Sequence, residues 1–217
     1  MQDGHFAKVK RIACREDGRY LIVLTVGSSD HTDAVEFVIL DELFEEVAEE
    51  LESGYIDEEC VATIDRYADI TAAFSSACAS LAFCECAAKA LFRKLLAKGF
   101  SRSASEAAVN IAVRRGYIDE DTLAIRRAEL MVAKPWGRSR IFAKLREEGF
   151  ADKAMNAVAA YLDEVDFSDG CATVIMKKYY PIPAERRERE KMYASLARLG
   201  FSSADIKAAI VRVNHDE

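Results

Sequence analysis

The sequence predicts a mainly α protein: three tandem three-helix repeats forming an elongated, curved array, preceded by a small β-containing N-terminal region. Three observations lead there. A five-position motif closed by glycine occurs three times, its glycines 50 and 51 positions apart. Apolar residues follow helical spacing from Ile70 onward. The first 40 residues instead hold short β-branched runs separated by turn signals. The expected divisions are residues 1–69 for the N-terminal region, then 70–116, 117–165 and 166–217 for the repeats.

In chain order, Val9 to Cys14 and Tyr20 to Val26 predict strands, and Glu16-Asp17-Gly18 between them a turn whose glycine accepts positive φ. Gly27-Ser28-Ser29-Asp30 predicts a second turn before a third strand at Ala34 to Ile39. Asp41 then opens an amphipathic helix with Leu43, Phe44, Val47 and Leu51 on one side, closed by Gly54. A further helix is expected from Asp57 to about Tyr67, and a separate one over Thr71 to Cys86.

The repeat motif reads Leu91-Phe92, Leu95, Gly99-Phe100; then Ile141-Phe142, Leu145, Gly149-Phe150; then Met192-Tyr193, Leu196, Gly200-Phe201. Positions −8, −7 and −4 from the glycine share a helix face and form an apolar stripe. Glycine stops the helix in the left-handed conformation, and the phenylalanine after it folds back onto the stripe. Ser101 and Ser202 are expected to cap the next helix. Ala107, Ala157 and Ala208, eight residues past each glycine, are expected where helices pack closely. A helix precedes each motif. In the second repeat it runs from Gly116-Tyr117-Ile118-Asp119 to about Lys134, ended by Pro135 and Gly137; in the third, from Asp166 to about Tyr180, ended by Pro181 and Pro183. One repeat alone cannot bury its stripe, so neighbours must stack.

Composition narrows the function classes. Hydrophobic residues make up 51% and charged residues 31%, enough for a core without staples. Met1 to Lys10 has no apolar signal region and no uninterrupted apolar stretch would span a bilayer, so a cytoplasmic chain without membrane contact is expected. The six cysteines are expected as reduced thiols. Cys84-Glu85-Cys86 lacks histidine partners, since His5, His31 and His215 are scattered, so no metal is expected. Gly-x-Ser-x-Gly, Walker and His-x-x-x-His patterns are missing. The expectation is a non-enzyme with no cofactor and no small-molecule substrate.

Charge is divided. Residues 1–79 carry 6 basic and 18 acidic side chains, net −12, and residues 80–217 carry 24 and 19, net +5. Seven cations fall between Arg126 and Arg146, opposed only by Glu129, around the single tryptophan, Trp136. The partner-binding candidates are Arg126, Arg127, Lys134, Trp136, Arg138, Arg140, Lys144, Lys177 and Lys178. Such a patch suits phosphates or an acidic protein surface. The alternative is ordinary helix-surface cations, with Trp136 closing the inter-repeat core and Lys177-Lys178 answering a helix dipole.

Taken together, these repeats resemble those of the RecX family, regulators of the RecA recombinase. The resemblance rests on Gly116-Tyr117-Ile118-Asp119, Leu123-Ala124, Gly137-Arg138-Ser139-Arg140-Ile141, Leu145 and Gly149-Phe150, with Ala172, Lys177-Lys178, Leu196 and Gly200-Phe201 in the third repeat. It covers about residues 79–212. The first repeat departs: where the family often has an arginine, a Ser or Thr cap and a glutamate, this chain has Glu85 to Leu91. The resemblance implies a protein that binds RecA filaments on single-stranded DNA and modulates, in the direction of inhibition, ATP hydrolysis, filament growth and strand exchange; a monomer is expected. Single-stranded DNA is a second candidate partner. The alternatives are a direct nucleic-acid binder and a generic helical scaffold.

Overall fold

The computed structural model describes residues 6–26 and 33–215. The turn expected at Gly27 to Asp30 lies outside them, as do His5 and His31. Strands β1 (Ala7–Cys14), β2 (Arg19–Val26), β3 (Asp33–Leu40) and β4 (Tyr55–Ile56) form one antiparallel sheet in the order β3-β2-β1-β4. The helices are α1 (Asp41–Phe44), α2 (Ala48–Glu52), α3 (Glu58–Phe83), α4 (Ala88–Ala97), α5 (Arg102–Arg114), α6 (Glu120–Val132), α7 (Arg138–Glu148), α8 (Asp152–Asp163), α9 (Phe167–Lys178), α10 (Arg186–Arg198) and α11 (Ser203–His215). The mainly α class with a small N-terminal sheet is therefore the observed one. The chain divides into two compact units, residues 1–84 with 91–117, and residues 85–90 with 118–217.

In the first unit, Ile22 and Leu24 of β2 and Ile39 of β3 are fully buried. Two expectations are corrected here. The helix begun at Asp41 is broken: Val47, at φ −119° and ψ 1°, leaves helical geometry between α1 and α2 while its side chain stays buried. Glu42, Glu45, Glu46, Glu49 and Glu50 fall at like-charge helical spacings with no cation among them, which disfavours one continuous helix. Conversely, the two helices expected at 57–67 and 71–86 are one helix of 26 residues, with no Gly or Pro to stop it. Thr71 is buried mid-helix; its hydroxyl donates to Tyr67 O at 2.9 Å and accepts the Leu40 amide at 3.0 Å, tying the helix to the sheet. Arg115 Nη2 closes the unit on Asp41 Oδ1 at 2.6 Å and Glu42 Oε1 at 3.2 Å.

The repeat motif holds at atomic detail. Gly99, Gly149 and Gly200 have φ of 93°, 96° and 94°. In each copy the following phenylalanine amide returns to the stripe leucine: Phe100 to Leu95 O, Phe150 to Leu145 O and Phe201 to Leu196 O, all at 3.3 Å. That is the six-to-one bond of a glycine-closed helix end. Leu91, Leu95, Ile141, Leu145, Met192 and Leu196 are all fully buried. The alanine expectation shifts by one residue: Ala107 and Ala157 are half-buried and Ala208 exposed, whereas Ala108, Val158 and Ala209, nine past each glycine, are fully buried.

The second unit has one continuous core running through α6 to α11, with Ala87 joining it from the approach to α4. Its repeats are joined by close backbone contact. Gly137 N donates to Leu199 O at 2.8 Å, and Ser139 N and Oγ reach Gly200 O at 3.2 and 3.0 Å. A Cβ on Gly137 would lie 2.1 Å from Gly200 C. The expectation that Gly137 ends α6 is thus corrected: it caps the start of α7 at φ −83°, and its role is to leave room for the next repeat. At the corresponding joint upstream, Lys89 Cβ and Ala90 N stand 3.2 and 3.5 Å from the Cβ position of Gly149.

Candidate functional site

The candidate residues surround the α6–α7 turn and the end of α9. Lys134 and Pro135 follow α6, whose final amides are closed by Ala133 N to Glu129 O and Lys134 N to Met131 O. The turn brings the half-buried Trp136 ring within reach of two cations, Lys134 Nζ at 5.0 Å and the Arg140 guanidinium at 4.3 Å from its centroid. These are cation–π distances, and the same ring packs against the core of the unit. The tryptophan therefore fixes the direction of both cations while closing the inter-repeat core.

Beside this turn lies a cavity of about 310 Å³. Its apolar lining includes Val132, Val174 and Leu199, with Thr173 at the side and Lys134, Lys177 and Lys178 around it. Thr173 donates to Asp169 O at 3.1 Å within α9, so its hydroxyl is satisfied. Lys177 and Lys178 occupy the last turn of α9. Among the described residues, none of these three lysines has a carboxylate within ion-pair distance. The folding of repeats two and three thus brings together cations more than forty positions apart in sequence.

The remaining candidates are placed elsewhere or engaged locally. Arg126 pairs with Glu85 at 3.1 Å. Arg138 is salt-bridged to Asp163, bonds Ala159 O at 3.3 Å, and lies 5.5 Å from the Phe142 centroid, which ties α7 to α8. Lys144 bonds Glu147 at 2.9 Å, and that hydrogen bond raises its pKa. Arg127 is half-buried on α6. So Lys134 is shared by two groups, the Trp136 ring with Arg140 and the cavity with Lys177 and Lys178, whereas Arg126, Arg138 and Lys144 serve ion pairs.

Sequence reasoning missed Glu120. It carries an ordinary first-turn acid at the start of α6, yet its Oε1 accepts the Ala88 amide at 2.6 Å and its Oε2 the Ala151 amide at 3.4 Å. Ala151 is the N-cap residue of α8, so its amide has no intrahelical acceptor and Glu120 provides one. The cavity residues Val174 and Leu199 also carried no signal, because only the packing of two repeats makes them neighbours.

Nothing in this surface gathers a catalytic set. The two most buried thiols, Cys60 and Cys171, are pushed up to about 12, chiefly by burial, which keeps them protonated and unreactive at neutral pH. Among the described residues, no group of three or more His, Cys, Asp or Glu is placed to hold a metal ion, and no single helix is long and apolar enough to cross a membrane.

Comparison with known proteins found relatives by sequence and by structure. No family model matches the chain. The chain is 30% identical over 122 residues to the regulatory protein RecX of Xanthomonas axonopodis pv. citri (strain 306), which covers 56% of this chain and 75% of that protein. A regulatory protein RecX of Xanthomonas oryzae pv. oryzae (strain MAFF 311018) is likewise 30% identical over 122 residues and covered to 76%. A crystal structure of a regulatory protein RecX superimposes with a TM-score of 0.68 at 21% identity, over 93% of this chain and 98% of the other. The crystal structure of RecX from Lactobacillus salivarius gives a TM-score of 0.59 at 19% identity, over 67% and 97%. These two likenesses speak for the fold.

Proposed function

The chain belongs to the RecX family of regulatory proteins, and from that premise we propose that it binds RecA filaments on single-stranded DNA and restrains their ATP hydrolysis, growth and strand exchange. The observation that carries this reading is the relationship itself, 30% identity across three quarters of a regulatory protein RecX. The fold supports it physically. Within the second unit, stacked repeats two and three offer a surface built from several short elements, and the close contact of Gly137 with Gly200 holds those two repeats together. A regulator that occupies successive protomers of a filament needs such a surface, because a ligand shifts a conformational cycle only by binding one of its states better than another. Lys134, Trp136, Arg140, Lys177 and Lys178 are the proposed contact residues.

The mechanism is occupancy without chemistry. The protein would hold adjacent recombinase subunits in one arrangement, blocking addition of subunits and the motion that accompanies hydrolysis. The test is RecA-dependent ATP hydrolysis on single-stranded DNA with increasing amounts of this protein. A saturable fall in rate is expected, and replacing Trp136 and Arg140 with Ala should move the half-maximal concentration upward by about tenfold, the size of an interface hot spot. A rate unchanged at saturating protein would sink the reading.

A further inference from the structure

We propose that the cavity between repeats two and three is a docking pocket for an acidic peptide segment that inserts an aliphatic side chain. The proposal rests on the reading above only in taking the partner to be a protein. The argument is one of complementarity. A volume of about 310 Å³ has ample room for a branched aliphatic side chain, and Val132, Val174 and Leu199 give it an apolar surface to meet. Burying such a side chain is favourable because apolar surface leaves water. The cations Lys134, Lys177 and Lys178 have no carboxylate partners among the described residues, so the surroundings of the pocket are left positive. Carboxylates flanking the inserted side chain would meet that charge.

The apolar lining decides between kinds of partner. A nucleic-acid strand would meet the lysines through its phosphates but offers the pocket no branched aliphatic side chain, at most a thymine methyl, and single-strand binding sites instead offer open aromatic faces for bases. The nearby aromatic, Trp136, is half-buried against the core and has Lys134 and Arg140 at 5.0 and 4.3 Å from its centroid, so it is not an open face for stacking bases. The peptide backbone need not pair with any strand, since the pocket is built from helices and one turn. Recognition would come from one buried side chain and a few charges, which gives a modest, salt-sensitive affinity.

The experiment is fluorescence anisotropy of a short labelled peptide of glutamates interspersed with leucines, with the full chain at physiological salt. Two controls are a peptide with serine in place of leucine and a single-stranded oligothymidylate of similar length. Expected are binding of the leucine peptide, weaker binding of the serine peptide, and no displacement by oligothymidylate. Combining Lys134→Gln, Lys177→Gln and Lys178→Gln should weaken the leucine peptide about tenfold, the sum of three exposed pairs. Thr173→Met should weaken it similarly by filling the pocket while leaving every lysine in place; Thr173 is exposed, so the fold should tolerate the change. No binding by the unaltered chain, equal binding of the two peptides, displacement by the oligonucleotide, or indifference to Thr173→Met would each overturn the proposal. No recombinase enters this assay, so its failure leaves the family reading standing, and failure of the hydrolysis assay leaves the pocket standing.

Discussion

The second unit contains two versions of one joint, and they are built with different tightness. Where repeat two meets repeat three, Gly137 and Gly200 touch backbone to backbone, and a Cβ on either would fall within 2.6 Å of the other side. Where the start of α4 meets repeat two, the Cβ position of Gly149 is 3.2 Å from the nearest atom, a side-chain carbon of Lys89. The tight joint is held by main-chain amides and the Ser139 hydroxyl, the loose one by the single carboxylate of Glu120. The same motif thus gives one joint that depends on the absence of side chains and another that depends on the presence of one.

Alanine at the three motif glycines breaks or confirms this contrast most directly. All three have the same positive φ, so each substitution carries the same conformational cost of about 1 kcal/mol. Only the space differs. Gly200→Ala forces a Cβ to 2.5 Å from Arg140 N and should cost about 3 kcal/mol in all. Gly149→Ala needs Lys89 to give slightly and should cost about 2 kcal/mol. Gly99→Ala enters open space and should show the conformational cost alone. Urea unfolding of the three variants measures the series, and a Gly99 variant as unstable as the Gly200 variant would refute the packing argument.

Much of this was legible in the sequence, for a physical reason. The stripe, the glycine stop and the returning phenylalanine are local interactions across ten residues, so spacing alone reports them. Ser101 and Ser202 likewise cap as expected, Ser101 accepting from Ala104 N at 3.2 Å and Ser202 from Asp205 N at 3.1 Å. Gly137 was not legible. It stands after a proline, where a helix stop is the ordinary expectation, and only Gly200, 63 positions later, explains it. Lys177 and Lys178 could be read as cations, but not as neighbours of Lys134 around a cavity. The packed position was misplaced by one because a helix turns by about 100° per residue, so one step exchanges the buried face for a half-buried or exposed one.

Glu120 sharpens the comparison from the other joint. Removing its carboxylate in Glu120→Ala leaves the Ala88 and Ala151 amides without their acceptor, at a cost of about 1.5 kcal/mol. Glu120→Gln keeps an acceptor oxygen for only one of them and should fall between. Native-state hydrogen exchange separates this from a general loss of stability. Ala88 and Ala151 should lose protection in Glu120→Ala, whereas Gly137, donating to Leu199 O at 2.8 Å, should keep it. Equal losses at the two joints would mean that they are not independent.

The smallest effect concerns the aspartates that open the first helices of repeats two and three. Asp119 caps α6, immediately before Glu120, and Asp166 caps α9. Hydrogen bonds with Thr122 hold the Asp119 carboxyl below its ordinary range, and those with Ser168 do the same for Asp166, helped by Arg212. A depressed value in the folded state means stability that is present above the unfolded value of about 3.9 and is lost as pH falls through the folded one. Asp119→Asn and Asp166→Asn preserve a capping oxygen but remove the titration. Each should therefore narrow the difference between the thermal midpoints at neutral pH and below pH ~3. The contrast between joints adds a further distinction. The Asp119 cap precedes Glu120 directly, so Asp119→Ala, which removes the capping oxygen that Asn keeps, should also lower the protection of the Ala88 and Ala151 amides, while Asp166→Ala should leave both joints unchanged. Midpoint differences equal to the parent's in both asparagine variants would remove the caps from the account of acid sensitivity.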